Sequence, residues 1–183
     1  MRRDAAANRD RLVRAAEQVF AAHGPSATLE DVAAAAGVGV ATLYRRFATK
    51  DDLVREVLTS FFARLIDVAA EAEQAAPEDG LEVFLRTVGV EIAEKGGLSA
   101  PMWGELAPAE LVDELRDRST ALLRRAQRAG AVRASVTPDD VASVVWALRG
   151  VIESERIDPS RRSGGLWQRH LATVLRGFRK DTR

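Results

Sequence analysis

The residues whose types and spacing could do chemistry lie close together in the first third of the chain. Thr42, Tyr44, Arg45 and Arg46 fall within one short segment, and Lys50 follows four residues later. Threonine can contact a thymine methyl group or a polar base edge, and arginine can read guanine. Tyrosine and lysine typically hold phosphates. This mixture of side chains is suited to a DNA groove.

The segments that must position these side chains have the pattern of two short helices joined by a turn. Thr28, followed by the acidic Asp31 three residues later, is typical of a helix start. The glycine-containing segment 37–39 interrupts this helix, and residues 40–47 can form the next turns. Leu43 is predicted to point back into a small core. The pattern predicts a helix-turn-helix, whose second helix fits the major groove of B-DNA.

Residues 28–47 read TLEDVAAAAGVGVATLYRRF and are followed by Thr-Lys at 49–50. This stretch resembles the DNA-binding head of the TetR family of transcriptional regulators, whose pattern it meets almost throughout. Two departures are mild: Gly39 stands where a capping serine is common, and Ala41 where glycine is common. Losing the serine hydroxyl weakens a helix cap by only a few tenths of a kcal/mol. The resemblance also implies that Thr28 offers its hydroxyl or backbone N–H to a phosphate.

The resemblance implies which other residues contact DNA. Tyr44 and Lys50 would clamp phosphates, while Thr42 and Arg45 would lie nearest the bases. Two alternatives stay open, since Tyr44 could partly serve packing and Arg46 could be a surface ion-pair partner. The complete set of predicted DNA contacts is Thr28, Val40, Ala41, Thr42, Tyr44, Arg45, Arg46 and Lys50.

Nearly every other segment has the period of an amphipathic helix, so the predicted fold class is all-α. We expect a three-helix helix-turn-helix DNA-binding domain at 1–50 and a helical ligand-binding and dimerisation domain at 51–183. Residues 1–50 hold eight basic and five acidic side chains, whereas the remainder holds 19 basic and 22 acidic ones. A modestly basic head on a slightly acidic body fits two tasks in one chain.

By resemblance, the middle helices enclose a pocket for an effector. Met102 and Trp103 follow the glycine pair at 96–97 and are the most suggestive residues, as an adaptable apolar surface on a mobile short helix. Since few inward polar groups are evident, we expect a small, mostly apolar molecule. Plain core packing is the alternative for each candidate. The candidates are Phe62, Phe84, Val88, Met102, Trp103, Leu122 and Trp146.

The resemblance also implies a homodimer, for which the helices at 138–153 and 165–179 are the most apolar of the C-terminal half. Two helices from each copy would form a four-helix interface. A two-fold dimer presents two recognition helices and predicts a near-palindromic operator of double-stranded DNA. The predicted interface residues are Val141, Val145, Leu148, Leu171, Val174, Leu175 and Phe178.

Composition excludes several other classes of function. The chain has no cysteine and only two histidines, His23 and His170, so thiol chemistry and cysteine-ligated metals are excluded. We expect neither an enzyme nor a cofactor, and no membrane partner, because no apolar stretch reaches the length of a spanning helix. The N-terminus lacks the apolar region of a signal peptide, so a soluble, cytoplasmic protein is expected.

The expected function is therefore a transcriptional regulator, in the form of a repressor that a small effector releases from DNA. Activation in place of repression stays open, because the sequence does not state where an operator lies relative to a promoter. The alternative from another class is an all-α interaction module that binds a small molecule or a protein and not DNA. Salt dependence separates the two, since binding to several phosphates weakens steeply with added salt.

Overall fold

The computed structural model describes residues 2–95, 105–157 and 165–180. This part of the chain is built from α-helices and contains no strand, which confirms the all-α fold class. One isolated antiparallel β-bridge joins Val132 and Arg179. The helices are α1 (Arg2–His23), α2 (Leu29–Ala36), α3 (Val40–Arg46), α4 (Lys50–Ala72), α5 (Gly80–Lys95), α6 (Ala109–Arg128), α7 (Pro138–Ile157) and α8 (Leu166–Phe178).

Three of these helices begin at a threonine followed three residues later by an aspartate, the pattern described above for Thr28 and Asp31 at α2. At α4, the Thr49 backbone N–H donates to Asp52 Oδ2 at 3.0 Å, and the Asp52 N–H donates to Thr49 Oγ1 at 3.1 Å. Thr137 and Asp140 form the same reciprocal pair at α7. Such a box satisfies amide groups that a helix start otherwise leaves without partners, so it fixes where each helix begins.

The first helix buries one continuous apolar stripe. Its residues recur every three or four positions and pack against α2. Because α2 is short, most of its stability must come from this packing rather than from helix propensity. The buried stripe consists of Leu12, Ala15, Ala16, Val19 and Phe20.

The described residues cluster into two compact units. One comprises residues up to Ala63 together with Lys95 and the described residues through Ala109. The other comprises Arg64–Glu94 and the described residues from Glu110 onward. The helix α4 therefore begins in one unit and ends in the other. A functional boundary at residue 50 stays a prediction.

The second unit has its own core, in which α5 and α8 approach closely. Gly89 lies on α5 where a Cβ atom would overlap the ring of Trp167, a buried residue of α8. The same unit buries one charged side chain, Arg149 of α7, which is 4% exposed. Its guanidinium carbon lies 5.9 Å from the centroid of the Trp146 ring, and burial lowers the pKa of Arg149.

Candidate nucleic-acid interface

The start of α2 is fixed by a hydrogen-bonded pair. The Thr28 backbone N–H and hydroxyl both donate to Asp31 Oδ2, at 2.9 and 2.7 Å. In return, Thr28 Oγ1 accepts a hydrogen bond from the Asp31 N–H at 3.1 Å. The Thr28 hydroxyl and backbone N–H together lower the pKa of Asp31. Both groups that Thr28 is predicted to offer a phosphate therefore bind Asp31 in this structure.

The turn between α2 and α3 is closed by backbone hydrogen bonds. Gly37 has φ of 65°, a left-handed conformation that glycine adopts without strain. The Val38 N–H donates to Ala33 O at 3.0 Å, which satisfies a carbonyl at the end of α2. Gly39 then caps α3 without a side-chain bond, and the Thr42 N–H donates to Gly39 O at 2.8 Å. This compact turn sets the orientation of α3.

One face of α3 is anchored in the core. Leu43 is completely buried and Phe47, at the end of the helix, is 5% exposed. Ala33 and Val32 of α2 are also completely buried, and α2 packs against α3. A small residue at position 33 permits this close approach of the helices. The buried anchor leaves the opposite face of α3 to solvent.

The exposed face of α3 carries most of the predicted DNA contacts. Val40 is 40% exposed and Tyr44 is 45% exposed. Ala41, Arg45 and Arg46 are exposed, while Thr42 is half-buried. Among the described residues Arg46 forms no ion pair, and its role stays a prediction.

Two hydrogen bonds organise the polar groups on this face. Arg45 Nη2 donates to Thr42 Oγ1 at 3.1 Å, so the two predicted base readers contact each other. The Tyr44 hydroxyl donates to Glu30 Oε1 of α2 at 3.0 Å. This bond raises the pKa of Tyr44, because the carboxylate stabilises the protonated phenol.

Lys50 stands at the first position of α4, apart from the face of α3. Its Nζ lies 5.8 Å from the centroid of the Phe20 ring, within the range of a cation–π contact. The residue as a whole is half-buried. This arrangement restrains the cation near the start of the helix.

Sequence reasoning missed Glu30 as a member of this interface. Its partner Tyr44 lies 14 residues away on another helix. No local spacing rule relates two such positions, because their contact depends on how α2 packs against α3. The available signal in the sequence was the negative charge of Glu30, which lies close to the predicted phosphate contact Thr28.

The predicted pocket residues are dispersed between core and surface. Phe62, Phe84, Val88 and Leu122 are buried, whereas Trp146 is 54% exposed. Met102 and Trp103 lie outside the described residues. The pocket stays a prediction.

A cavity of about 400 Å³ lies elsewhere, within the second unit. It is lined by the start of α5, the turn before α7 and the end of α8, including Leu81, Val132 and Phe178. None of the predicted pocket residues lines it. Arg179, at its edge, forms an ion pair with Glu82 at 3.6 Å.

The predicted dimer residues divide into two groups. Val141, Leu148, Leu171 and Leu175 are buried by their own chain. The others are half-buried, namely Val145, Val174 and Phe178. The dimer interface stays a prediction.

Neither a metal site nor a membrane span is found in the described part of the chain. No group of three or more His, Asp or Glu side chains there could hold a metal ion. Within the same ranges, no helix has the length and apolar character needed to cross a bilayer.

Two families match the sequence on either side of residue 70. Residues 12–57 match the family described as Bacterial regulatory proteins, tetR family. Residues 76–180, more than half of the chain, match the family described as Transcriptional regulator SbtR-like, C-terminal domain. The two matches cover the helix-turn-helix and the helical body respectively.

Individual relatives agree with both matches. The HTH-type transcriptional repressor LfrR of Mycolicibacterium smegmatis is 33% identical over 140 residues, which cover 73% of this chain and 71% of the relative. A TetR transcriptional regulator from Streptomyces coelicolor is 28% identical with a TM-score of 0.68, covering 95% of this chain and 99% of that one. A TetR regulatory protein from Mycobacterium vanbaalenii is 28% identical with a TM-score of 0.66, covering 98% and 99%. These relatives are regulators and not enzymes, and the chain belongs to the TetR family of transcriptional regulators.

Proposed function

We propose that this regulator is a repressor that binds a near-palindromic operator as a homodimer, with α3 in the major groove. The observation that carries the proposal is the division of α3 into a buried anchor and an exposed polar face. Leu43 and Phe47 fix the helix, while Tyr44 and Arg45 face solvent. A short helix held in this way presents its side chains to base edges at fixed positions.

The residue types and exposures support separate roles on DNA. Thr42 and Arg45 read base edges, and their mutual hydrogen bond prepares the arginine for this contact. Tyr44 and Lys50 bind phosphates, which fix the orientation of the protein on the duplex. The remaining contacts come from the small or cationic exposed residues Val40, Ala41 and Arg46 and from Thr28 at the start of α2.

A homodimer is supported by an exposed stripe along α7. Trp146, Ala147 and Gly150 recur at helical spacing on the side of α7 that faces solvent. A second copy would cover this stripe together with the half-buried Val145 and Val174. Burial of a tryptophan beside small residues suits close packing of helices across a two-fold axis.

A small, mostly apolar effector acts through the C-terminal body. The candidate pocket residues Phe84, Val88 and Leu122 of that unit are large and apolar, and this character is what favours a ligand of this class. The effector favours a geometry of the body in which the two heads no longer match the operator, so it weakens DNA binding by its differential affinity for the two states. Repression as the outcome is supported by the relative LfrR, which is a repressor by name. A repressor of this kind works in the bacterial cytoplasm.

Selection of bound sequences from a random duplex pool, at near-physiological salt, tests the proposal with the full-length protein. A two-fold symmetric motif is the expected result. Absence of any enriched motif, in the purified protein and again with cell extract added, would contradict operator binding. It would favour a module that binds a protein or a small molecule, whose association depends little on salt.

A further inference from the structure

The hydrogen bond between Tyr44 and Glu30 lies at the proposed DNA-binding face. It joins α3 to α2 across 3.0 Å, and both side chains are exposed. Among the described residues it is the sole side-chain hydrogen bond of Glu30, whereas the neighbouring Asp31 is held by Thr28. The Glu30 carboxylate can therefore move without disturbing the start of α2.

The chemistry of the phenol makes this bond an obstacle to phosphate binding. A tyrosine hydroxyl has one proton to donate, and carboxylate and phosphodiester oxygens can only accept it. While Tyr44 donates to Glu30, it cannot donate to a phosphate. If both anions approached the hydroxyl together, their oxygens would lie no more than about 6 Å apart and would repel each other.

We propose that Glu30 competes with an operator phosphate for the Tyr44 proton and thereby lowers the affinity of the regulator for DNA. This inference rests on the proposed function, since it assumes that Tyr44 binds a phosphate. When DNA binds, the Tyr44 hydroxyl keeps its proton but directs it to the phosphate in place of the carboxylate, and the Glu30 side chain rotates into solvent. Glu30 is thus a residue that sets operator affinity without itself donating to DNA.

A double-mutant cycle tests the competition. Dissociation constants are measured for the wild type, Glu30→Gln, Tyr44→Phe and the double variant, on the duplex most enriched by selection and at one salt concentration. Glu30→Gln keeps the shape of the side chain and removes its charge. We expect it to bind DNA about three- to tenfold more tightly, because an exposed charge pair contributes on this scale in each protomer. In the Tyr44→Phe background, the gain should be clearly smaller.

Several outcomes would overturn the proposal. Unchanged or weaker binding by Glu30→Gln would mean that Glu30 does not oppose DNA, and weaker binding would make it a positioning residue for Tyr44. An equal gain in both backgrounds would reduce its role to general charge repulsion. Glu110→Gln, which removes one exposed negative charge from α6, is the matched control and should leave the affinity unchanged. If Tyr44→Phe, Arg45→Ala and Lys50→Ala all bind as the wild type does, the proposed DNA face itself is wrong.

A second measurement needs no DNA. Tyr44 is the single tyrosine of the chain, so its ring carbon gives one signal in NMR spectra of protein labelled at tyrosine Cζ. Titration of this signal should give a lower pKa in Glu30→Gln than in the wild type. An identical pKa in both proteins would show that the contact is not formed in solution, and the proposal would fall while operator binding could still stand.

Discussion

Arg45 and Lys50 carry the same charge in different surroundings, and we expect them to contribute differently to operator binding. Arg45 belongs to the exposed face of α3 and contacts Thr42, whereas Lys50 is the first residue of another helix, α4. Arg45→Ala should relax sequence preference at particular positions and cost about 1–3 kcal/mol on the preferred duplex. Lys50→Ala should weaken binding to all sequences about equally. Repeating the selection with each variant measures the difference.

Salt dependence separates the two residues further. Losing one phosphate contact per protomer should reduce the slope of log affinity against log salt by about two in the dimer for Lys50→Ala. Arg116→Ala on α6 removes an exposed positive charge from a helix that does not belong to the proposed DNA face, and it serves as the control. If Arg45→Ala retains the wild-type preference at every position, Arg45 does not read a base.

Single contacts were harder to predict from the sequence than the helix that carries them. The buried Leu43 follows from its place in the motif, and the structure agrees. The partners of polar groups do not follow, because Thr28 and Tyr44, both predicted to contact phosphates, each donate to a carboxylate in this structure. Residue type and spacing indicate the chemistry that a side chain can perform, but the packing of the helices determines which neighbouring group it contacts.

Among the helical elements, α2 depends on a cap whose strength varies with pH. The hydrogen bonds from Thr28 hold the pKa of Asp31 below its ordinary value of 3.8. A group whose pKa is depressed by folding contributes stability above its unfolded pKa, and this contribution is lost as the pH falls through the lowered value. Asp31→Asn should therefore reduce the free energy of unfolding at neutral pH, and its deficit against the wild type should shrink below about pH 4.

Urea unfolding followed by circular dichroism at several pH values checks this expectation. Thr28→Ser is the matched control, because it keeps the hydroxyl and the backbone N–H that Asp31 accepts from. Its pH dependence should equal that of the wild type. A deficit of Asp31→Asn that stays constant from pH 7 to pH 3 would mean that the cap does not respond to protonation of this carboxyl.

The close approach of α5 and α8 makes a second prediction for an element. Alanine in place of Gly89 would put a methyl group into the Trp167 ring, so either the ring or the helix must shift. Overpacking of this kind costs about 1–3 kcal/mol, which should exceed the gain in helix propensity. Gly177→Ala on α8 meets no atom within 4 Å and should be neutral or slightly stabilising. Thermal unfolding of both variants tests the difference, and equal melting temperatures would contradict it.

For the whole molecule, the sequence predicts more about which faces are apolar than about what covers them. The helical period identifies the stripes of α7 and α8, and both helices form where they are expected. Val141 and Leu148 nevertheless turn out to be buried by the chain itself, while Trp146 is exposed. Periodicity cannot distinguish a helix face that packs inside a subunit from one that packs between subunits, because both need the same apolar residues.

The exposed stripe of α7 yields the prediction for the assembled regulator. Ala147→Glu introduces a negative charge between Trp146 and Gly150. Because glutamate is a good helix former, the monomer should still fold. Because the charge would be buried without a partner in the interface, the dimer should be disrupted. Sedimentation should change from dimer to monomer, and operator affinity should fall on the order of 100-fold, because the second head is no longer held near its half-site. Val90→Glu, at an exposed position of α5, is the matched control and should remain a dimer with wild-type affinity. If Ala147→Glu remains a dimer with unchanged affinity, the subunits meet on another surface. That other interface would then set the spacing of the two recognition helices on the operator.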